Sequence, residues 1–196
     1  MISGIILASG FSKRMGTDKL LLKVDGVPMI ERVIREAKAS KLDEIILVYR
    51  NPKVMEIGLK YDIKTVYNGK AEFGQSEALK LGVLSADESA EAYMFFVGDQ
   101  PFIYTSLIDH IIDKYEASEY LIAVPYYNGR KGNPSIFSSL LKNELLNVVG
   151  DMGGREIIDK NQLYFNYSEI GDNEVSKWLT DEEIAFNKNF YENLEG

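Results

Sequence analysis

Ile2-Ser-Gly-Ile-Ile-Leu-Ala8 runs directly into Ser9-Gly-Phe-Ser-Lys-Arg-Met-Gly-Thr-Asp-Lys19. The first part is a short apolar run centred on Ile5, Ile6 and Leu7 and bounded by glycine, the composition of a strand buried on both faces of a parallel sheet. The second part is polar and carries Gly10, Ser12, Arg14, Gly16 and Lys19. Glycine lets a backbone turn tightly and bring its N–H groups against a ligand. Arginine and lysine supply cationic donors suited to phosphate oxygens. Open α/β sheets bind ligands outside the carboxyl ends of their strands, which is where this loop falls. The stretch therefore reads as a buried strand feeding a triphosphate-cradling loop. It is not a Walker A loop, because Gly10 and Gly16 are one residue too far apart and Lys19 does not follow Gly16. Nor is it the dinucleotide fingerprint, since Phe11 and Ser12 follow Gly10.

Outward from that strand, the pattern repeats. Asp25-Gly26 closes a short apolar segment, Leu20 to Val24, as a turn. Pro28 suits a first helical turn, and Met29, Ile30, Val33, Ile34 and Ala37 recur at helical spacing, so residues 28–40 are expected to be an amphipathic helix. Ile45 to Tyr49 is a second buried strand. Asn51-Pro52 ends it and starts a helix through about Lys60, and Ile63 to Tyr67 is a third strand. Gly74-Gln75-Ser76 opens a further helix, Tyr93 to Val97 is a fourth strand, and a helix with Leu107, Ile108, Ile111, Ile112 and Tyr115 follows. Leu121 to Pro125, Pro134 to Phe137 and Leu163 to Tyr167 complete the strands, and Thr180 with Glu183 fits a capping box opening a closing helix. Strand and helix in alternation predict a parallel sheet with right-handed crossovers. The expected fold is a three-layer α/β/α, Rossmann-like domain with a mostly parallel sheet, a single domain over residues 1–196.

Composition narrows the chemistry. The chain has 196 residues and no cysteine, which excludes disulfides, thiolate metal sites and cysteine nucleophiles. Its formal net charge is −8, against general binding of nucleic acid by a basic surface. No apolar run reaches membrane-spanning length and no signal peptide is recognisable, so a cytoplasmic location is expected. An acidic protein that binds a triphosphate must gather positive charge locally, and Arg14, Lys19, Lys23, Arg130, Lys131 and Arg155 are the candidates. His110, the one histidine, falls among charged residues and reads as a solvated surface side chain.

Four further sites carry chemistry. Gly98-Asp99-Gln100-Pro101 follows the fourth strand, where a carboxylate is well placed to hold magnesium on a triphosphate. The bland alternative is that Asp99 caps the next helix or shapes a turn with Pro101. Gly129-Arg130-Lys131-Gly132-Asn133-Pro134 reads as a basic hairpin tip. Gly150-Asp151-Met152-Gly153-Gly154-Arg155 reads as a glycine-rich helix start, a natural anion site. Ser76 is either a helix cap or a hydroxyl offered to a ligand.

Together these residues resemble the nucleotidyltransferases that activate molybdopterin. Their loop signature, Leu-Ala-(Ala/Gly)-Gly-x-Ser-x-Arg-Met-Gly-x-x-Lys, is matched at Leu7, Ala8, Gly10, Ser12, Arg14, Met15, Gly16 and Lys19, with Ser9 at the variable third position. The resemblance implies that this loop wraps the base and phosphates of a nucleoside triphosphate, with Arg14 and Lys19 on the phosphates. Asn68, Gly74-x-Ser76 and Leu79-x-x-Gly82 are similar to the family's Asn…Gly-x-Ser-x-Ser-Leu-x-x-Gly, although the second serine is Ala78 here; Asn68 and Ser76 are implied nucleotide contacts. Gly-Asp-Gln-Pro at 98–101 looks like the family's metal motif and resembles the cytidylyltransferase branch more than the guanylyltransferase branch. Gln100, Gly132, Asn133, Pro134 and Arg155 are implied to face the second substrate, the last through similarity to Gly-Asp-x-Gly-x-Arg. The family's Asp-Ile-Asp-Thr-Pro-Glu-Asp is replaced by Lys177-Trp178-Leu179-Thr180-Asp181-Glu182-Glu183, so no second metal ligand carries over from it and Asp151 or Asp172 is left as a substitute.

The implied reaction is attack by a molybdopterin phosphate on the α-phosphorus of CTP, with magnesium on Asp99 and release of pyrophosphate. Such chemistry needs charge neutralisation and in-line positioning more than a base. The alternatives are a guanylyltransferase on the same cofactor, a nucleotidyltransferase acting on a sugar or alcohol phosphate, and a non-catalytic chaperone carrying molybdopterin to an apo-enzyme. No nucleic acid or membrane partner is expected.

Overall fold

A computed structural model describes residues 1–11, 18–127, 130–152 and 154–160. Along them run β1 (Ile2–Ala8), β2 (Lys23–Val24), β3 (Val27–Pro28), α1 (Met29–Ala39), β4 (Glu44–Tyr49), α2 (Pro52–Lys60), β5 (Lys64–Tyr67), α3 (Gln75–Ser85), β6 (Ala92–Val97), α4 (Thr105–Glu116), β7 (Ile122–Ala123), β8 (Tyr126–Tyr127), β9 (Arg130–Lys131), β10 (Ser135–Ser138), α5 (Lys142–Asn147) and α6 (Arg155–Lys160). The main sheet has the order β5-β4-β1-β6-β10-β7. The pairs β5–β4, β4–β1 and β1–β6 are parallel, while β10 is antiparallel to both of its neighbours.

Alternate residues of each strand point to opposite sides, and both sides are apolar. Ile6, Leu47, Met94, Phe96 and Ile136 face α1, α2 and α4, where Ile30, Val33, Ile34, Val54, Ile108 and Ile111 close the layer. Ile5, Ile46, Val48, Tyr93, Phe95 and Phe137 face α3, α5 and α6. This is the expected three-layer arrangement, and burying each of the larger aliphatic side chains contributes about 1.5–3 kcal/mol. Helix α1 buries Met29, Ile30, Val33, Ile34 and Ala37, the same positions that marked it in the sequence. On the opposite face α3 approaches closely because Gly82 has no side chain: a Cβ there would lie 2.3 Å from Ile5 Cγ2.

The structure departs from the sequence reading in several places. Leu20 to Val24 is divided between a 3-10 turn, Lys19–Leu21, and strand β2, which pairs antiparallel with β3 around Asp25-Gly26. Both turn residues have positive φ, 51° and 80°, the requirement of a tight hairpin. The segment 121–125 forms only the two-residue β7, and β8 pairs antiparallel with β9, Tyr126 opposite Lys131 and Tyr127 opposite Arg130. Helix α5 had no counterpart in the sequence reading. The strand expected at 163–167, the altered segment 177–183 and the closing helix lie outside the described residues.

Candidate functional site

The carboxyl ends of β1, β4, β5 and β6 lie side by side, and their loops are fastened to one another. Ala8 and Ser9 are buried at 2% and 6% exposure. Asn68, just beyond β5 and 1% exposed, donates from Nδ2 to Ser9 Oγ at 2.9 Å. Its backbone N–H reaches Tyr49 O at 2.7 Å, and its Oδ1 accepts from Lys70 N at 3.0 Å. Asn68 thus ties the ends of β1, β4 and β5 together. The far side of the loop is anchored too. Asn51 Nδ2 donates to Asp18 Oδ2 at 2.9 Å while its Oδ1 caps α2 by accepting from Lys53 N, and Asp18 Oδ1 caps the 3-10 turn through Leu20 N. Ser12, Arg14 and Gly16 lie outside the described residues.

Asp99 stands just past β6, and Gly98 N donates to Leu7 O at 3.1 Å, so the β1 and β6 loops share one edge. Lys19 Nζ donates to Asp99 Oδ2 in an ion pair whose two side chains are each about one-third exposed. The helix-cap alternative for Asp99 is set aside. Helix α4 has no side-chain cap from its N-cap residue Tyr104; instead the Glu36 carboxylate accepts from Thr105 N at 2.9 Å. Among the described residues no group of three or more His, Cys, Asp or Glu side chains is placed to hold a metal ion. Magnesium is commonly bound by one or two carboxylates together with substrate phosphates rather than by an all-protein cage. A single carboxylate, about one-third exposed at the ligand edge, fits that mode.

The second-substrate candidates arrive by two routes. Strand β10 runs antiparallel, with Ser135 opposite Phe95 near the carboxyl end of β6, so the residues preceding it lie toward the Asp99 end of the sheet. Gly132, Asn133 and Pro134 are those residues; Gly132 N donates to Pro125 O at 2.8 Å and Pro134 is buried. Gln100 sits half-buried in the turn after Asp99. Arg155 is exposed and opens α6.

The turn before α6 meets α3 directly. Asp151 Oδ1 accepts from Gln75 N at 3.1 Å, at the amino terminus of α3, where a negative charge is favoured. The N-cap residue is Gly74, so Ser76 is not the cap; its hydroxyl, on a side chain 1% exposed, is buried without a hydrogen-bond partner among the described residues. Asp151 is therefore engaged with a backbone amide, and Asp172 lies outside the described residues. His110 is half-buried, not a solvated surface side chain: its Nε2 is buried without a partner among the described residues, and burial pulls the imidazole below its usual pKa, with nearby Lys114 acting in the same direction. The sequence reading missed the Ser9–Asn68 and Asp18–Asn51 bonds and the docking of Asp151. Asn51-Pro52 had signalled only a helix start.

The profile of a family described as MobA-like NTP transferase domain matches residues 4–164. A probable molybdenum cofactor guanylyltransferase from Natranaerobius thermophilus is 34% identical over 128 residues, 65% of this chain and 62% of that protein. The purine catabolism protein PucB from Bacillus subtilis is 28% identical over 170 residues, 82% of each chain. The chain spans about three-fifths of the length of the Natranaerobius thermophilus protein and of the probable molybdenum cofactor guanylyltransferases from Thermococcus sibiricus and Pyrococcus furiosus that it also matches. Among solved structures, a nucleotidyl transferase from Methanothermobacter thermautotroptrophicus superposes with a TM-score of 0.76 at 20% identity, covering 99% of this chain and 97% of the other. The 4-diphosphocytidyl-2C-methyl-D-erythritol synthase from Anaerococcus prevotii gives 0.67 at 20% identity, covering 98% and 96%. At those identities the likeness is one of fold.

Proposed function

Since the chain belongs to the family of MobA-like NTP transferase domains, we propose that it transfers a nucleotidyl group from a nucleoside triphosphate to the phosphate of molybdopterin, releasing pyrophosphate. The observation that carries this is the Lys19–Asp99 pair at the shared edge of β1 and β6, beside the Asn68–Ser9 frame. An acceptor phosphate oxygen forms a bond to the α-phosphorus as the bond from that phosphorus to the bridging oxygen of the β-phosphate breaks. The attacking phosphate is already anionic, so positioning and charge neutralisation do most of the work. Lys19 neutralises charge on the pyrophosphate leaving group, and Arg14 is assigned the same task by the resemblance. Backbone groups at Leu7, Ala8 and Gly10 hold the base, with Asn68 and Ser76 beside the ribose and phosphates. Magnesium held by Asp99 would neutralise triphosphate oxygens. Gln100, Gly132, Asn133, Pro134 and Arg155 bind the pterin substrate.

We assign CTP as the donor from the Asp99-Gln100-Pro101 turn, which resembles the cytidylyltransferase branch. GTP is the second reading, favoured by the names of the molybdenum cofactor guanylyltransferases among the relatives. A molybdoenzyme would receive the product. Among the described residues no helix is long and apolar enough to cross a membrane. The test is magnesium-dependent pyrophosphate release from CTP, GTP and ATP, with and without molybdopterin, for the wild type and Asp99→Ala. Release that needs CTP and molybdopterin and is lost in the variant supports the proposal. A GTP requirement moves the donor to the second reading, and nucleotide binding without release leaves a carrier of molybdopterin.

A further inference from the structure

Arg50 follows the last residue of β4, at the edge where the ligand loops gather, and no role described above uses it. Its guanidinium carbon lies 4.4 Å from the centroid of the Phe11 ring, a cation–π contact. Phe11 immediately follows Gly10 in the first loop, and its side chain is 37% exposed. Arg50 Nε is buried and has no acceptor among the described residues. A buried donor left unmatched is costly, and an acceptor brought by a ligand would recover that cost. The neighbours of Arg50 are fixed on both sides. Tyr49 O accepts from Asn68 N, and Asn51 holds Asp18. With Phe11 covering one face, the guanidinium is left to act through its edge.

We propose that Arg50, supported by Phe11, reads the base of the nucleotide by donating to two adjacent acceptors on it. The inference rests on the nucleotidyl-transfer reading and adds a rule for which bases are admitted. A guanidinium only donates, through a planar fork that matches paired acceptors. Guanine offers O6 beside N7, the pair to which arginine binds bidentately in nucleic acids. Cytosine offers O2 beside N3. Adenine sets an amino donor beside N7, and uracil carries N3–H between its two carbonyls. Arg50 thus admits guanine and cytosine and rejects adenine and uracil, consistent with either donor considered above.

The test is calorimetric titration of GTP, CTP, ATP and UTP, each with magnesium, into the wild type, Arg50→Gln, Arg50→Lys and Phe11→Leu, with circular dichroism melts to establish folding. The wild type should prefer GTP or CTP over ATP and UTP. Arg50→Gln should weaken binding of the preferred base by roughly ten- to a hundredfold, leave ATP and UTP unmoved, and so collapse the preference. Arg50→Lys, folded and charged but lacking the fork, should lose most of the preference as well, and Phe11→Leu should lose part of it. Equal weakening of all four nucleotides would assign Arg50 to the phosphates and overturn the inference. Unchanged preference in a folded Arg50→Lys, or a wild type that binds all four alike, would overturn it too while leaving the transfer reading intact. A wild type that binds no nucleoside triphosphate would overturn both.

Discussion

Replacing Gly74 by alanine should separate two parts of the candidate site whose bonded residues, Gln75 and Asp151, are 76 residues apart in sequence. Gly74 has φ 104° and ψ −179°, a conformation essentially reserved for glycine, so a side chain there adds strain of about 1–3 kcal/mol. The new Cβ would also lie 2.7 Å from Asp151 Oδ1 and 2.7 Å from the carbonyl carbon and oxygen of Gly150. Non-bonded heavy atoms are at their best separation near 3.5–4 Å, so something must move by about 1 Å. The Asp151 carboxylate can swing away, but the Gly150 carbonyl is backbone and moves only if the whole turn retreats from α3. That retreat breaks the bond from Gln75 N to Asp151, a capping interaction worth about 0.5–2 kcal/mol. The two contributions together give roughly 2–4 kcal/mol, equivalent to a fall in melting temperature of about 5–15 °C for a chain of this size. Urea unfolding of the wild type, Gly74→Ala, Asp151→Ala and the double variant measures it. The cycle should be non-additive, because Gly74→Ala already removes the contact that Asp151→Ala deletes. A Gly74→Ala protein within about 0.5 kcal/mol of the wild type would refute the reasoning, since neither the backbone conformation nor the close approach could then be as described.

Two other predictions are independent of that contact. Gly82→Ala places a Cβ 2.3 Å from Ile5 Cγ2, where α3 packs on β1, and should cost about the 1–3 kcal/mol typical of overpacking; thermal unfolding at wild-type temperature would count against the packing described. Glu31 accepts from Tyr61 Oη at 2.7 Å and from Arg35 Nη2 at 2.6 Å, and these partners, Tyr61 first, hold its carboxyl below the usual glutamate value. Its stabilisation is therefore full above the unfolded pKa and is lost as pH falls through the lowered folded value. Glu31→Gln should flatten the acid limb of stability below about pH 4, read from urea midpoints across a pH series, and parallel acid limbs in the two proteins would sink the assignment.

The ease with which different parts were read from the sequence follows from how local their causes are. Helix α1 was legible because its buried positions recur along one segment and its start is marked by Pro28. The strands at 45–49, 93–97 and 134–137 were legible in the sequence, but the antiparallel direction of β10 was not, because periodicity has no sense of direction. Helix α5 spans six residues with a single buried side chain, Leu145, too little for a periodic signal. In the site, the loop from Leu7 to Lys19 and the carboxylate at Asp99 announced themselves through residue type and position. Their pairing did not, since Lys19 and Asp99 meet only after β1 and β6 lie side by side. The same holds for Asn68 with Ser9 and for Asp151 with Gln75, each a side-chain bond between distant segments. His110 was misjudged because its burial is set by packing between distant segments, which the charged residues beside it in sequence, Asp113 and Lys114, do not reveal.

The central position of β1 has a consequence for how the chain reaches this fold. Its partners are β4, with Ser3 opposite Glu44, and β6, with Ile2 opposite Ala92. During synthesis β1 therefore gains its first neighbour only when β4, ending at Tyr49, has been made, and its second only when β6, ending at Val97, has followed. In that interval the run from Ile2 to Ala8 presents an unpaired edge and two apolar faces, a template for association with other nascent chains. Loop closure over such distances also slows folding. The strand that positions the nucleotide loop in the finished protein is thus the segment with the greatest need of protection while the protein is being made.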